Sequence, residues 1–241
     1  MTFMYPFINR THNPLGGGHE LLEDGSVKGC YGCTYCWASA LKNRYKWAKY
    51  LGEYRWIEKE FNVRYKPDDF TFVCDMIDIG RLPAPLLITF FDWLKEQPGK
   101  ILTVTKNPKI YAYLYNNGVE IPENVYLGAT IESNKYYPEI SKAPSQFDRL
   151  YWMNVLSQLK KIGERLFISI EPVMDFDFKE FETDIYRIRP WAVAIGYDNY
   201  SNGLPEPGLY KVNDLISEME KYTTVYKKTL RESALKVKEN E

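Results

Sequence analysis

Residues 166–195 read LFISIEPVMDFDFKEFETDIYRIRPWAVAI, and the pattern in this stretch decides the fold class. Two short apolar runs, Leu166–Ile170 and Trp191–Ile195, are rich in β-branched and aromatic side chains. Runs of this kind suit strands buried on both faces, as a parallel sheet requires. Between them Phe178–Ile188 reads as a helix that ends before Pro190. Strand, helix, strand is the crossover unit by which parallel neighbours are joined, and its hand is right-handed.

The alternation continues on both sides. Upstream apolar runs lie at Thr71–Ile77 (TFVCDMI), Ile101–Thr105 (ILTVT) and Val125–Ile131 (VYLGATI). Helical candidates separate them: Pro85–Lys95 and Pro108–Tyr115, each opening on a proline, and Gln146–Ile162, which stops at Gly163. Leu209–Tyr222 follows the last run, with Val212, Leu215, Ile216 and Met219 on one face. A repeated β–α order argues an α/β fold, either a barrel or partial barrel or a doubly wound open sheet. Ahead of this frame Phe3–Asn9 reads as a first strand and the ring-rich stretch Trp37–Tyr65 as a helix, its aromatics serving packing. No internal repeat or low-complexity stretch interrupts the chain.

Composition narrows the class. The chain has 241 residues, 45% of them hydrophobic and 26% charged, the balance of a folded globular protein and not of a disordered one. Lys and Arg number 31 against 32 Asp and Glu, so the net charge of −1 gives no global attraction to nucleic acid. No apolar run is long enough to cross a bilayer, and MTFMYPFINR lacks the features of a secretory signal, so the expectation is a cytoplasmic protein without membrane contact. Residues 222–241, with Lys227, Lys228, Arg231, Lys236 and Lys238 among acids, read as a charged C-terminal tail or solvated helix after a single domain spanning 1–221.

The chemistry-bearing signal is the loop 29–38, Gly29-Cys30-Tyr31-Gly32-Cys33-Thr34-Tyr35-Cys36-Trp37-Ala38. Three thiols at a repeated spacing can meet one metal centre, because two intervening residues let a loop turn around it. A structural zinc takes four protein ligands, and His12, His19 or Cys74 could supply the fourth. A [4Fe–4S] cluster held by three cysteines leaves one iron open to a small molecule. Spacing leaves both open. Cys74, inside an apolar run, reads as a small packed hydrophobe, and His12 and His19 as surface loop residues. Asp75, Asp78, Lys106, Glu132, Glu171 and Asp198 all fall at or just after the C-terminal ends of expected strands, where catalytic groups of parallel α/β proteins gather.

The cysteine loop resembles that of the radical S-adenosylmethionine (SAM) superfamily, in which an aromatic precedes the last cysteine. The chain is most similar to the radical-SAM-like three-Cys-motif proteins of phages and bacteria, with some likeness to the spore photoproduct lyase branch. Beside the loop, the resemblance runs through Asn13-Pro14, Met76-Ile77-Asp78, Leu102–Pro108, Asn124–Gly128 leading to Ile131-Glu132-Ser133, Ile168–Pro172 and Val193–Gly196. It departs in one place: the usual spacing is C-x3-C-x2-C, whereas here it is C-x2-C-x2-C. The resemblance implies a parallel (β/α)6-type partial TIM barrel and a [4Fe–4S] cluster on Cys30, Cys33 and Cys36. It also implies SAM as a second cofactor, cleaved to a 5′-deoxyadenosyl radical, and a flavodoxin- or ferredoxin-type electron donor. Asp75, Glu132 and Ser133 would then bind SAM, while Lys106, Glu171 and Asp78 would be catalytic. The substrate is not readable, although the lyase likeness implies a nucleotide or nucleic acid. The rival expectations are a zinc-stabilised binding module without turnover, and a radical SAM fold that keeps its cluster but has lost catalysis.

Overall fold

A computed structural model of the protein describes residues 4–40 and 47–233. It is an α/β fold built on a parallel sheet of seven strands that follow one another in chain order. They are β1 (Arg10–His12), β2 (Phe70–Val73), β3 (Lys100–Thr105), β4 (Val125–Thr130), β5 (Leu166–Ile170), β6 (Ala192–Ile195) and β7 (Thr224–Lys227). Helices α1 (Ala84–Lys95), α2 (Lys109–Asn116), α3 (Gln146–Ser157), α4 (Phe178–Ile188) and α5 (Leu209–Met219) follow β2 to β6 in turn. The described residues therefore hold five strand–helix pairs between two flanking strands, where a sixfold repeat was expected.

Both flanking strands escaped the sequence reading for one reason. An end strand has a single partner and tolerates charge. Arg10-Thr11-His12 carries no apolar run, yet it pairs in register with Thr71-Phe72-Val73. The expected strand over Phe3–Asn9 is, in its described part, a bend and a single turn, with Ile8 N–H donating to the Tyr5 carbonyl at 3.1 Å. The segment 222–241 is not simply a charged tail or helix: Thr224–Lys227 runs parallel to Ala192–Ile195, with its end residues exposed. Lys236 and Lys238 lie outside the described residues.

The chain divides into two compact units, and the division falls within β4. The first unit comprises residues 1–128 with the outlying segment Pro138–Ala143; the second comprises 129–137 and 144–241. In the first unit Leu87, Phe90, Phe91 and Leu94 of α1 are buried, as are Tyr111 and Leu114 of α2. Removing such side chains from water stabilises by about 1.5–3 kcal/mol each before the ordering cost. In the second unit every residue of β5 and β6 is buried, matching the uninterrupted apolar runs from which they were read.

Between β1 and β2 lies a long excursion that carries the cysteine loop. Leu15–Gly16 pairs antiparallel with Arg55–Trp56, and Glu20–Leu21 with Val27–Lys28. The expected helix over Trp37–Tyr65 is broken into a helical turn at Trp37–Ala40, a 3-10 turn at Trp47–Tyr50, the strand Arg55–Trp56 and a helical turn at Glu58–Phe61; Tyr45 lies outside the described residues. Gly52, at φ 78°, turns the chain where a continuous helix would need a right-handed residue. The aromatics of this stretch do pack: the Trp56 ring lies 4.9 Å from Phe61 and 5.9 Å from Trp93. Gly16 is required by close approach, since a Cβ there would meet the Lys49 carbonyl oxygen.

Candidate functional site

The cysteine loop is fixed from both ends of its sequence. Gly32 turns the chain at φ 59° and its N–H donates to the Gly29 carbonyl at 2.9 Å. Cys36 N–H donates to the Cys33 carbonyl at 3.2 Å, and a helical turn begins at Trp37. The outlying segment 138–143 then pins the loop. Thr34 N–H donates to the Ile140 carbonyl and Lys142 N–H to the Tyr31 carbonyl, each at 2.9 Å. Cys33 Sγ stands 3.0 Å from Ser141 Oγ.

Cys30 sits against the C-terminal end of β2. Its Sγ accepts the Asp78 backbone N–H at 3.3 Å. The Tyr54 phenol and His19, whose Nε2 is 4.0 Å away, are further neighbours. Burial, the Asp78 carboxylate and the nearby Cys36 push the Cys30 thiol up to about 11, against the opposing pull of the Asp78 N–H and Tyr54. Such a thiol is protonated at neutral pH and is a poor nucleophile, but a metal would displace its proton. Cys36 Sγ and Ser39 Oγ both border the space that a Cβ on Gly29 would fill. The Ser39 hydroxyl is buried with no hydrogen-bond partner.

Asp78 organises the ground beneath the loop. Its Oδ1 accepts the Thr105 hydroxyl at 2.5 Å and the Gly80 N–H at 2.8 Å, and its Oδ2 accepts the Lys106 N–H at 2.8 Å. Burial pushes this carboxyl up and outweighs the three donors. A side chain so enclosed acts by position: it ties the end of β2 to the end of β3 and aims its own N–H at Cys30. Lys106, directly after β3, donates from Nζ to the Tyr35 hydroxyl at 2.5 Å and lies 4.8 Å from that ring's centroid. The loop is thereby joined to β3 as well. Asp75 accepts from Asn13 Nδ2 at 2.5 Å, while Asn13 Oδ1 accepts the Met76 N–H at 3.1 Å; burial pushes Asp75 up.

The other sequence-derived candidates belong to the second unit, and there the structure gives them occupations of their own. Glu132 is wholly buried and its Oε2 accepts from Arg149 Nη1 at 2.7 Å; Arg149 also donates to the Pro144 and Thr130 carbonyls. Ser133, equally buried, donates to the Asp175 carbonyl at 2.5 Å and accepts the Lys135 N–H at 3.0 Å. Glu171 pairs with Lys228 at 2.9 Å. Burial still pushes its carboxyl up, although Lys228 opposes it. Asp198 closes a turn by accepting from Tyr200 N–H and from Asn202.

Three expectations need correction. His12 and His19 are buried, not surface loop residues. Burial holds both imidazoles below their ordinary pKa, against the raising effect of Glu60 on His12 and of the Met76 carbonyl on His19. His12 is engaged by Tyr65 at 2.9 Å and Glu60 at 3.3 Å, so it does not serve the loop. His19 contacts the Met76 carbonyl at 2.7 Å beside Cys30. Cys74 is buried as expected, but it lies beyond β2 and its φ of 60° ends that strand.

Sequence reasoning missed Ser141, Tyr54, Arg149 and Lys228. Ser141 lies over a hundred residues from the thiol it meets, and no spacing signal connects them. Lys228 stands just after β7, and recognising that strand would have flagged it by the same rule that flagged Lys106.

The donor set fits a thiolate-bound centre in its chemistry. Three thiols share one loop, a backbone N–H already points at one sulfur, and an orphaned hydroxyl lies beside another. As the side chains stand, no three His, Cys, Asp or Glu among the described residues converge on one point. No described helix is long and apolar enough to cross a membrane. Comparison of the chain with protein-family models, with curated proteins and with solved structures gives no match.

Proposed function

We propose that the protein is a radical SAM-like enzyme, with Cys30, Cys33 and Cys36 holding one [4Fe–4S] cluster and SAM as second cofactor. The observation that carries this reading is the seating of the loop: Cys30 Sγ accepts the Asp78 N–H. That contact sets Cys30 beyond the C-terminal end of β2, the edge of a parallel sheet at which such folds do chemistry. When bound, the cluster would supply one-electron chemistry to SAM. This chain's residues do the rest. The thiols release their protons on loading, Asp78 holds β2, β3 and the loop in register, and Lys106 offers an ammonium to an anionic group. The (β/α)6-type barrel arrangement, the cytoplasmic setting and a flavodoxin- or ferredoxin-type electron donor belong to the same proposal.

Within it, Asp78 moves from acid–base work to positioning, because its carboxylate is enclosed by three donors. Glu132 and Ser133 are read as builders of the turn after β4. Lys106 and Glu171 keep their candidate catalytic roles and Asp75 its candidate SAM contact. A second reading has one observation in its favour. His19, whose Nε2 lies near Cys30 Sγ, could complete three thiolates and an imidazole around a structural zinc on giving up its hydrogen bond to the Met76 carbonyl.

Anaerobic purification followed by iron, sulfide and zinc analysis decides between them. The expected result is about four irons and four sulfides per chain, with a reduced-cluster EPR signal that SAM alters. The C30A/C33A/C36A variant should hold none. One zinc and no visible absorbance would overturn the cluster reading in favour of the zinc site.

A further inference from the structure

Away from the cysteine loop, Tyr65, His12 and Glu60 of the first unit form a chain of hydrogen bonds. The Tyr65 hydroxyl stands 2.9 Å from His12 Nδ1, and His12 Nε2 stands 3.3 Å from Glu60 Oε2. The phenol and the imidazole are buried, whereas the carboxylate is partly exposed. A carboxylate only accepts, so Nε2 carries the imidazole hydrogen and Nδ1 is left to accept the phenol. Burial favours the forms this requires, lowering the imidazole's pKa and raising the phenol's. Other phenols have partners of another kind. Tyr111 meets the Thr103 hydroxyl and the Gly128 carbonyl, Tyr197 donates to the Pro207 carbonyl, and Tyr186 accepts from Arg189. None of those partners is a base near neutral pH.

The Tyr65 ring is also the inner end of a line of aromatics. Its centroid lies 5.8 Å from that of Trp93, with the planes perpendicular. Trp93 in turn lies 5.9 Å from Trp56, which is half-buried. Rings this close meet edge to face, so an electron can pass between them. Trp93 Nε1–H donates to the Phe61 carbonyl at 3.0 Å, an acceptor that does not take the proton. An oxidised Trp93 therefore keeps its positive charge, while an oxidised Tyr65 can discharge its own to His12. The Arg10 guanidinium, 5.0 Å from the Tyr65 ring centroid, works in the same direction. A cation beside a ring opposes electron loss unless a proton leaves too.

We propose that Tyr65 is a redox-active tyrosine and that its line of rings forms a sink for one-electron oxidants. The oxidant class is a peroxyl radical at Trp56, which takes one electron from the indole and one proton from solvent to become a hydroperoxide. The vacancy is filled from Trp93 and then from Tyr65. As the electron leaves Tyr65, the phenolic proton crosses to His12 Nδ1 and the Nε2 proton moves to the Glu60 carboxylate. The products are a neutral phenoxyl radical, a neutral imidazole and a carboxylic acid, so charge and protons balance. The 2.9 Å separation is within reach for such a transfer. No thiol, iron or SAM takes part, so the proposal is independent of the cluster reading.

The test uses the full chain, with photogenerated tris(bipyridine)ruthenium(III) as the oxidant in place of the peroxyl and EPR as the readout. Phenoxyl radicals on exposed residues such as Tyr113 and Tyr210 are lost by coupling in solution, whereas one on the buried Tyr65 is walled in. Wild type should keep a neutral tyrosyl signal after the exposed radicals have decayed, and Y65F should lose it. H12N, which leaves the phenol an acceptor that is not a base, should lose it as well, and W93F should lose most of it. A persistent signal in Y65F, or none in wild type, would overturn the proposal. So would an undiminished signal in H12N or W93F, which is what merely structural side chains predict. Should H12N fail to fold, wild type supplies the remaining arm. After exchange in D2O, ENDOR of its radical should show a deuteron hydrogen-bonded to the phenoxyl oxygen from the imidazole, and its absence would overturn the proposal.

Discussion

Glu132, Glu171 and Asp175 of the second unit are held in another way than Asp75 and Asp78 of the first. In the second unit opposite charges meet: Glu132 with Arg149, Glu171 with Lys228, and Asp175 with both Lys135 and Lys211. In the first unit the hydrogen bonds to Asp78 come from a hydroxyl and two backbone N–H groups, and that to Asp75 from an amide. An ion pair spends its charge on its partner. A charge held by neutral dipoles keeps its field for whatever arrives next. The difference teaches that one sequence signal, a charged residue after a strand, can be met by an opposite charge in one place and by neutral donors in another.

The largest test of that contrast is Arg149→Met. It strands the buried Glu132 carboxylate and should lower the unfolding free energy in urea by about 3–5 kcal/mol. Adding Glu132→Leu should restore most of the loss, because the pair as a whole is replaceable by packing. A single variant within about 0.5 kcal/mol of wild type would show that Glu132 is not scaffold and return it to the list of ligand-binding candidates.

A smaller effect is expected from Asp78→Asn. The amide has one acceptor oxygen for three donors and turns an N–H toward one of them, costing about 1–3 kcal/mol, partly offset by removing a buried charge. Loop seating should suffer too, read as faster alkylation of Cys30. A variant more stable than wild type would mean that the first unit holds this carboxylate against the interest of its own fold.

The smallest effects lie in pH dependence, and Asp75 and Asp175 should differ in sign. Burial raises the folded-state pKa of Asp75, so the folded protein binds a proton that the unfolded chain has released. Its contribution is present at low pH and is lost as pH rises from about 3.9 through the raised value. Asp175 is pushed up by burial, but Lys135 and Lys211 outweigh this and hold it low. Its contribution is present above about 3.9 and is lost as pH falls through the depressed value. Urea midpoints from pH 3 to 7 should therefore flatten in different windows for Asp75→Asn and Asp175→Asn. A common window would erase the contrast between these two carboxylates.

Much of the frame was legible because the central strands are buried on both faces and must be apolar. Leu166–Ile170 was read to the residue, as was the helix Phe178–Ile188. Strands at the ends of the order were illegible for the converse reason, with Arg10–His12 and Thr224–Lys227 carrying the polar residues that an unpaired edge tolerates. At the site, the cysteine loop and the strand-end residues were visible as motif and position. Their partners were not. Neither the burial of His19 nor the approach of Ser141 to Cys33 leaves a trace in local pattern, since both depend on contacts across long stretches of chain.

One consequence of the outlying segment concerns time. The chain is made from its N-terminus at about 5–20 residues per second. Cys33 and Ser141 are separated by 108 residues. The thiols therefore emerge about 5–20 s before the segment that pins them has been synthesised. For that interval on the ribosome the loop is an open tether whose side chains can turn toward an ion or be captured by an oxidant. If the proposed centre forms, the order in which metal and segment 138–143 arrive would decide whether the loop closes around it or around bare thiols.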